Sequence, residues 1–582
     1  MKRVIVLTVG VVTLLIGYFF ANAQTESKLT NYLKNIIVEK GENATVKAWI
    51  YFADKGVQVE SKLAAAETNL TPHALKRRLR NRGAGNLVDF KDIPVNREYF
   101  QEIKTKVLKI RHKSRWLNAV SVETNGKELT EIENFSFVKK IDIVREGKGV
   151  EPLQKEEVPM GSQQPSGAQL NYGPSFDQNN QINTVALHNM GYDGSGVLVC
   201  MLDAGFNNLQ HEALTHLNIL HTWDFVNGDS VVSDEPGQMG SGYHGTYTLS
   251  ALAGYKEGQL IGPAYSADFI LAKTENTDWE HNIEEDHWVA GAEWADSLGA
   301  DIISSSLGYR DFDPGQISYT WQDLDGNTAV STIGADIAAR RGILVVNSAG
   351  NEGPATPPQN SLIAPSDGDS VACIGAVSSS GSRASFSSMG PTADGRIKPD
   401  IMARGVSVVS ASSYNPTGYT GVSGTSLSCP LVAGAAALVL QVNPTWTNME
   451  ILEALKNTAD NASSPNNSYG WGVIDAYAAA FYSPPTGMEG DKPLLSKFEL
   501  YPVYPNPFNP TTNIHFNLPV SGDVNLAVYN NLGQTVATLS NGFLEAGEHR
   551  MVWNATDFAS GVYYLMLRAS EGEKVQKLLL IK

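Results

Sequence analysis

Cysteine is scarce. Three residues in a chain of 582, an odd number, cannot build a dense disulfide framework, so a hydrophobic core must carry the fold. Cys200 and Cys373 sit inside apolar strand-like runs, GVLVCML and SVACIGAV, the usual setting of buried thiols. Cys429 has no neighbouring base in sequence to activate it as a nucleophile. Beyond the N-terminal segment no continuous apolar run is long enough to cross a bilayer, so no transmembrane segment is expected in the mature chain. Positive charge is in deficit too, with 44 Lys and Arg against 61 Asp and Glu and a net charge of -17. The basic cluster KRRLRNR, Lys76 to Arg82, has no interleaved aromatics and no recognisable binding module around it, so nucleic acid is not an expected partner.

What is present divides the chain into parts. Met1-Lys2-Arg3, the apolar VIVLTVGVVTLLIGYFF and then Ala21-Asn22-Ala23 form the charged, hydrophobic and small-residue pattern of a secretory signal peptide, residues 1–23, cleaved after Ala23. Residues 24–150 carry 24 Lys and Arg against 16 Asp and Glu, whereas 151–582 carry 18 against 45. A basic N-terminal unit that docks on an acidic partner unit of the same chain follows from that asymmetry. Within 24–150 the strand-like TVKAWIYFAD, WLNAVSVET and VKKIDIV mix with helical TPHALKRRLRNR, NREYFQEIKTKV and KELTEIENF, a small α+β unit. Residues 151–170, rich in Gly, Pro, Gln and Glu, read as a linker or processing region.

Over 171–483 buried apolar strands (VLVCML, FILAK, DIISSS, ILVVN, VACIGAV) alternate with helices. This is the signature of an α/β fold, a mostly parallel sheet with helices on both faces, whose chemistry gathers at the carboxyl ends of the strands. A second linker, 484–499, leads to 500–582, where six or seven short alternating runs separated by turn formers predict a small antiparallel β-sandwich.

Three motifs fall at element ends in the α/β region. Asp203 ends a buried apolar strand in VLVCMLDAG, His244 stands at the start of a small-residue helix in GSGYHGTYTLSALAG, and Ser426 opens a helix apolar on every side in SGTSLSCPLVAGAAALVL. Acyl transfer needs a nucleophile, a base, an acid that orients the base, and donors for the oxyanion. Ser426, His244 and Asp203 supply the first three. Asn351, just beyond another buried strand in ILVVNSAGNEG, supplies an amide donor beside the Ser426 backbone N–H. Ser426 alone would read as a helix cap, and His244 alone would carry nothing; the joint pattern carries the reading. Two competing motifs fail on spacing: HEALTH sets His211 and His216 five apart, off a common helix face and unlike the HExxH zinc motif, and GTSLS has Ser428 where the lipase elbow needs glycine. The acidic loop DFDPGQISYTWQDLDGN offers Asp323 and Asp325 to a structural calcium but lacks the twelve-residue ligand pattern, so a solvated loop is the favoured reading and no cofactor is required.

The order Asp203, His244, Ser426, with DAG, HGT, SAGNEG and GTSLSCP around them, resembles the subtilisin-like serine peptidases over about residues 185–480. The resemblance implies a secreted serine endopeptidase that hydrolyses protein substrates through an acyl-enzyme. It also implies that Ser306-Leu307-Gly308 and Ala349-Gly350 line the cleft in which substrate pairs as an added strand. Ala204 departs from the hydroxyl residue common after the acid, and Leu427, Ser428 and Cys429 replace other small residues after the serine; no triad atom is lost.

The α+β segment resembles, in position and size, the inhibitory propeptides of these enzymes, which implies that the chain's own propeptide is a partner until it is cut away. YPNPFNPTT (Tyr504 to Thr512), VYNNLGQTV, LEAGEH, ASGVYYLML and KLLLIK resemble the C-terminal sorting domain of the type IX secretion route of Bacteroidetes-like bacteria. That implies the type IX machinery as a partner and export across both membranes of a Gram-negative cell, to the surface or beyond. The opposing class, a non-catalytic surface binding protein on a subtilisin-like shell, is disfavoured by the presence of Asp203, His244, Ser426 and Asn351 together. A carbohydrate- or cell-binding sandwich is the alternative for 500–582.

Overall fold

The computed structural model describes residues 27–144, 154–159, 161, 164, 169–277, 283–310, 318–483, 498–500, 503, 506–519, 522–544, 547–570 and 572–581. The expected signal peptide, half of the first linker and nearly all of the second lie outside them. The chain forms two compact units, 1–482 and 483–582.

The N-terminal part of the first unit is a four-stranded antiparallel sheet in the order Lys109–Ser114, Ala119–Asn125, Thr45–Phe52, Val138–Ile143. Alternation along the strands gives it two apolar faces. Ala48, Ile50, Val120, Val122 and Ile141 close on the helices Asn31–Lys40 and Gly126–Ile132 through Leu33, Ile37 and Leu129. Trp49 and Ala119 lie on the other face, with Val330 of the larger part against them.

That face and the helix Pro72–Arg82 dock on the larger part through charge. Arg77 and Arg78 are fully buried, and both pair with Asp296 of the helix Ile283–Leu298. Arg80 pairs with Asp301 at 2.7 Å and Arg111 with Asp286 at 3.1 Å. Arg341 answers from the opposite side, reaching Asp89 at 2.7 Å and Asp92 at 2.8 Å. The cluster KRRLRNR is thus a docking element, as the charge asymmetry implies.

The larger part is built on a seven-stranded, all-parallel sheet. From one edge the strands are Ile401–Arg404, Val371–Val377, Leu344–Ser348, Ile302–Ser305, Leu198–Asp203, Asp268–Lys273 and Asn218–Asp224. Odd and even side chains separate cleanly. Val199 and Met201 enter one core with the helices Tyr243–Ala253 and Thr425–Val442, and Leu198, Cys200 and Leu202 enter a second with Ile283–Leu298 and Val330–Arg340. The chain extends the sheet first on one side of Leu198–Asp203 and then on the other, so the topological switch falls between that strand and Ile302–Ser305. A crevice opens at such a point. Thr425–Val442 is apolar and long enough to cross a bilayer by composition, yet it is 89% buried in the unit, a core helix.

One stretch departs from the linker reading. Gln154–Glu156 forms a strand on the edge of the hairpin Val408–Ala411/Tyr419–Ser423. Its sequence has no strand alternation; the open edge of the hairpin supplies the pairing.

The second unit is the expected antiparallel β-sandwich. A sheet of Glu499–Leu500, Thr511–Leu518 and Gly547–Asn554 faces one of Thr535–Leu544, Gly522–Asn530, Gly561–Ala569 and Gly572–Leu580. Between them lie Ile514, Phe516, Leu526, Val528, Trp553, Leu565 and Leu578.

Candidate active site

Asp203 is the last residue of a strand buried on both faces, and its carboxylate is committed at each oxygen. Oδ1 accepts from His244 Nδ1 at 2.6 Å and from the Ala204 N–H at 2.8 Å, and Oδ2 accepts from Thr248 Oγ1 at 2.8 Å. His244 and Thr248 stand four apart on the helix Tyr243–Ala253, one above the other on the face turned to Asp203. Gly245 lets this helix touch the Asp203 turn, since a Cβ there would lie 2.2 Å from the Gly205 carbonyl oxygen. An ionised carboxylate only accepts, so the bond at Nδ1 assigns the ring proton to that nitrogen and leaves the Nε2 lone pair free. Both side chains are 0% exposed, and Nε2 has no hydrogen-bond partner among the described residues.

Ser426 is the second residue of Thr425–Val442, after a sharp strand-to-helix turn at Gly424, whose φ of 155° favours glycine. Its hydroxyl donates to the Ser306 carbonyl at 3.3 Å, and the Ser306 hydroxyl donates to the Ser426 carbonyl at 2.9 Å. The helix start is thereby clamped to the end of the strand Ile302–Ser305, across the switch from Asp203. Asn351 turns its Oδ1 to Thr425, accepting from the backbone N–H at 2.9 Å and from Oγ1 at 3.0 Å. With the carbonyl oxygen fixed there, the NH2 group points the other way.

The remaining expected residues occupy the carboxyl ends of two adjacent strands. The Leu307 carbonyl accepts from Asn347 Nδ2 at 3.0 Å, and a Cβ on Gly308 would lie 2.0 Å from Ile363 Cδ1. The Ala349 N–H donates to Ile374 at 2.9 Å, and the Gly350 carbonyl accepts from the Ser388 N–H at 3.0 Å. Leu307 and Ala349 turn their side chains into the core with Trp288 and Leu362, leaving backbone as what this wall can offer a peptide.

Cys429 lies one turn below Ser426 and donates to the Ser305 and Val346 carbonyls at 3.4 Å, with burial pushing its thiol up to about 12. All three thiols are free and buried. Thr248 is the site residue that sequence reasoning misses, and its i+4 spacing from His244 is the signal that points to it. His211 and His216 bond separate carbonyls, those of Gly418 and Tyr265. Asp323 caps Thr320, and Asp325 accepts from Asn327 and Thr328. Among the described residues no group of three or more His, Cys, Asp or Glu is placed to hold a metal ion.

Comparison with known proteins gives three family matches: the Subtilase family over residues 194–472, the Peptidase S8 propeptide domain, Bacteroidota, over 47–159, and the Secretion system C-terminal sorting domain over 502–582. Subtilisin NAT of Bacillus subtilis subsp. natto is 35% identical over 303 residues, 52% of this chain and 70% of that protein. The subtilisin of Bacillus pumilus is 35% identical over 52% of this chain and 96% of its own length. Among solved structures fervidolysin of Fervidobacterium pennivorans, a keratinolytic enzyme related to subtilisin, superposes over 93% of this chain and 76% of its own with a TM-score of 0.52 at 15% identity, a likeness of fold.

Proposed function

The chain belongs to the subtilase family of serine endopeptidases, and from that premise we propose that Asp203, His244 and Ser426 are its catalytic triad and Asn351 its oxyanion donor. His244 Nε2 takes the proton of Ser426 Oγ as that oxygen attacks the scissile carbonyl. The Asn351 NH2 and the Ser426 N–H, at the positive end of its helix, hold the oxyanion. The imidazolium, stabilised by Asp203, then protonates the leaving amine, and water repeats the sequence to release the acyl group. The chemistry draws on side chains and backbone alone. Substrate backbone pairs with Ser306, Leu307 and Gly308 on one side and Ala349 and Gly350 on the other.

The observation that carries this reading is the buried His244–Asp203 bond with Nε2 left without a partner, on a helix that packs against the Ser426 helix. The same reading covers the flanks. A signal peptide of 1–23 is removed, 24–150 inhibits until it is cut away in 151–170, the peptidase occupies 171–483, and 500–582 directs export through the type IX machinery to the cell surface or medium. Expression of Ser426→Ala precursor tests the core of it. The variant should stay full length when purified alone while wild type loses its N-terminal segment; processing that persists in pure Ser426→Ala protein removes self-cleavage from the account.

A further inference from the structure

The hairpin strand Tyr419–Ser423 leads straight into Ser426, and its outer edge is occupied. Gln154–Glu156 pairs with it antiparallel, Gln154 opposite Ser423, Lys155 opposite Val422 and Glu156 opposite Gly421. Gln154 therefore lies nearest Ser426, and the chain runs away from it towards Glu156. A peptide in this direction has its N-terminal side towards the serine. The paired residues thus stand on the leaving-group side of any bond attacked there.

Lys155 and Glu156 are exposed, and each has partners on the surface beneath it. Glu156 accepts from Ser423 Oγ at 2.6 Å and from Ser407 Oγ, and its carbonyl accepts from Thr420 Oγ1 at 3.1 Å. Lys155 makes no ion pair with a carboxylate among the described residues. Its ammonium lies 5.4 Å from the Tyr243 ring centre, 5.5 Å from Tyr247 and 5.9 Å from Tyr414. Three rings within about 6 Å of one cation form an aromatic box, in which each negative ring face attracts the charge. The box is anchored. Tyr243 and Tyr247 sit on the His244 helix with ring centres 6.2 Å apart, and the Tyr247 hydroxyl accepts from Ser413 Oγ at 3.1 Å. Tyr414 is 66% exposed and closes the outer side.

We propose that Tyr243, Tyr247 and Tyr414 form a leaving-group-side pocket selective for a Lys or Arg side chain. It seats the chain's own Lys155 in the precursor and afterwards selects protein substrates with a basic residue at the corresponding position. The proposal rests on Ser426 being the nucleophile.

The test uses processed full-length enzyme and quenched-fluorescence peptides identical up to the scissile bond, with a single Lys, norleucine or Glu moved through successive positions after it. One position should show kcat/KM for Lys about two- to fivefold above norleucine, the size of an exposed cation–π contact, and further above Glu. Tyr414→Leu should collapse the Lys-to-norleucine ratio at that position towards one. In the precursor, Lys155→Glu should slow self-cleavage while Lys155→Arg retains it. Hydrolysis with no Lys preference at any position, or a ratio untouched by Tyr414→Leu, overturns the pocket. Absence of all hydrolysis, with no labelling of Ser426 by a fluorophosphonate, overturns the nucleophile reading instead.

Discussion

Arg77→Ala in the propeptide should weaken its hold on the peptidase about a hundredfold. Arg77 is fully buried in the docked state. It donates to the Ala300 carbonyl at 2.7 Å, to the Arg341 carbonyl at 3.1 Å, and to the Asp296 carboxylate. Burial alone would raise the Asp296 carboxyl, but Arg77, Arg78, Arg341 and Arg115 around it hold it well below the usual carboxylate range. Removing one partner of a buried, hydrogen-bonded pair costs about 3–5 kcal/mol, because the remaining groups stay desolvated. At 1.4 kcal/mol per decade, and with Arg78 still on Asp296, the low end of that range corresponds to about a hundredfold loss of affinity. The assay is inhibition of the processed enzyme by added propeptide, wild type against Arg77→Ala. Lys106→Ala removes an ion pair with Glu131 that lies on the propeptide surface and should leave inhibition unchanged. Equal inhibition constants for wild type and Arg77→Ala would refute the view that charge burial on the Ile283–Leu298 helix carries docking.

Thr248→Val strips Asp203 Oδ2 of its hydroxyl donor in a fully buried site, a loss of about 1–3 kcal/mol. That hydroxyl also holds the carboxylate in place against His244 Nδ1, so its loss should lower kcat about tenfold with KM little changed. A kcat unchanged from wild type would remove Thr248 from the site. At the docking interface His112 and His287 stack edge to face at 4.9 Å. Burial lowers both, with Arg111 and Lys109 adding to the effect on each, and Asp286 opposing it at His112. The docked state therefore binds fewer protons than the separated parts, and affinity should decline as pH falls below 6.5, the ordinary histidine value. Glu293 is raised chiefly by burial and works in the opposite sense, so the pair is isolated by comparison: His112→Gln with His287→Gln should show a smaller decline between pH 7.5 and 5.5, and an identical decline would exclude the pair.

The sheet was legible because burial on two faces leaves a near-continuous apolar string, as in Leu198–Asp203, and a charged residue ending such a string is conspicuous. Ser426 gained its meaning only from Asp203 and His244, since a hydroxyl at a helix start is equally a cap. Elements whose structure is decided by their partners were not legible. Asn218–Asp224 is a largely exposed edge strand, Lys109–Ser114 is a basic run held by its neighbour strand and an acidic helix, and Val59–Thr68 buries no side chain at all. The helix Asn31–Lys40 does carry a signal, with Thr30 capping Leu33 and with Leu33, Ile36 and Ile37 on one face. The tyrosine box was beyond reach, because Tyr243, Tyr247 and Tyr414 meet Lys155 only through the pairing of a strand that the sequence presents as linker.

Whether Ser426 does the chemistry with His244 as its base is decided by incubating the processed protein with a fluorophosphonate, followed by digestion and mass spectrometry. One adduct is expected, on Ser426, lost in His244→Ala together with peptide hydrolysis. An adduct on any other residue, or protein hydrolysis that survives in Ser426→Ala, would contradict that assignment.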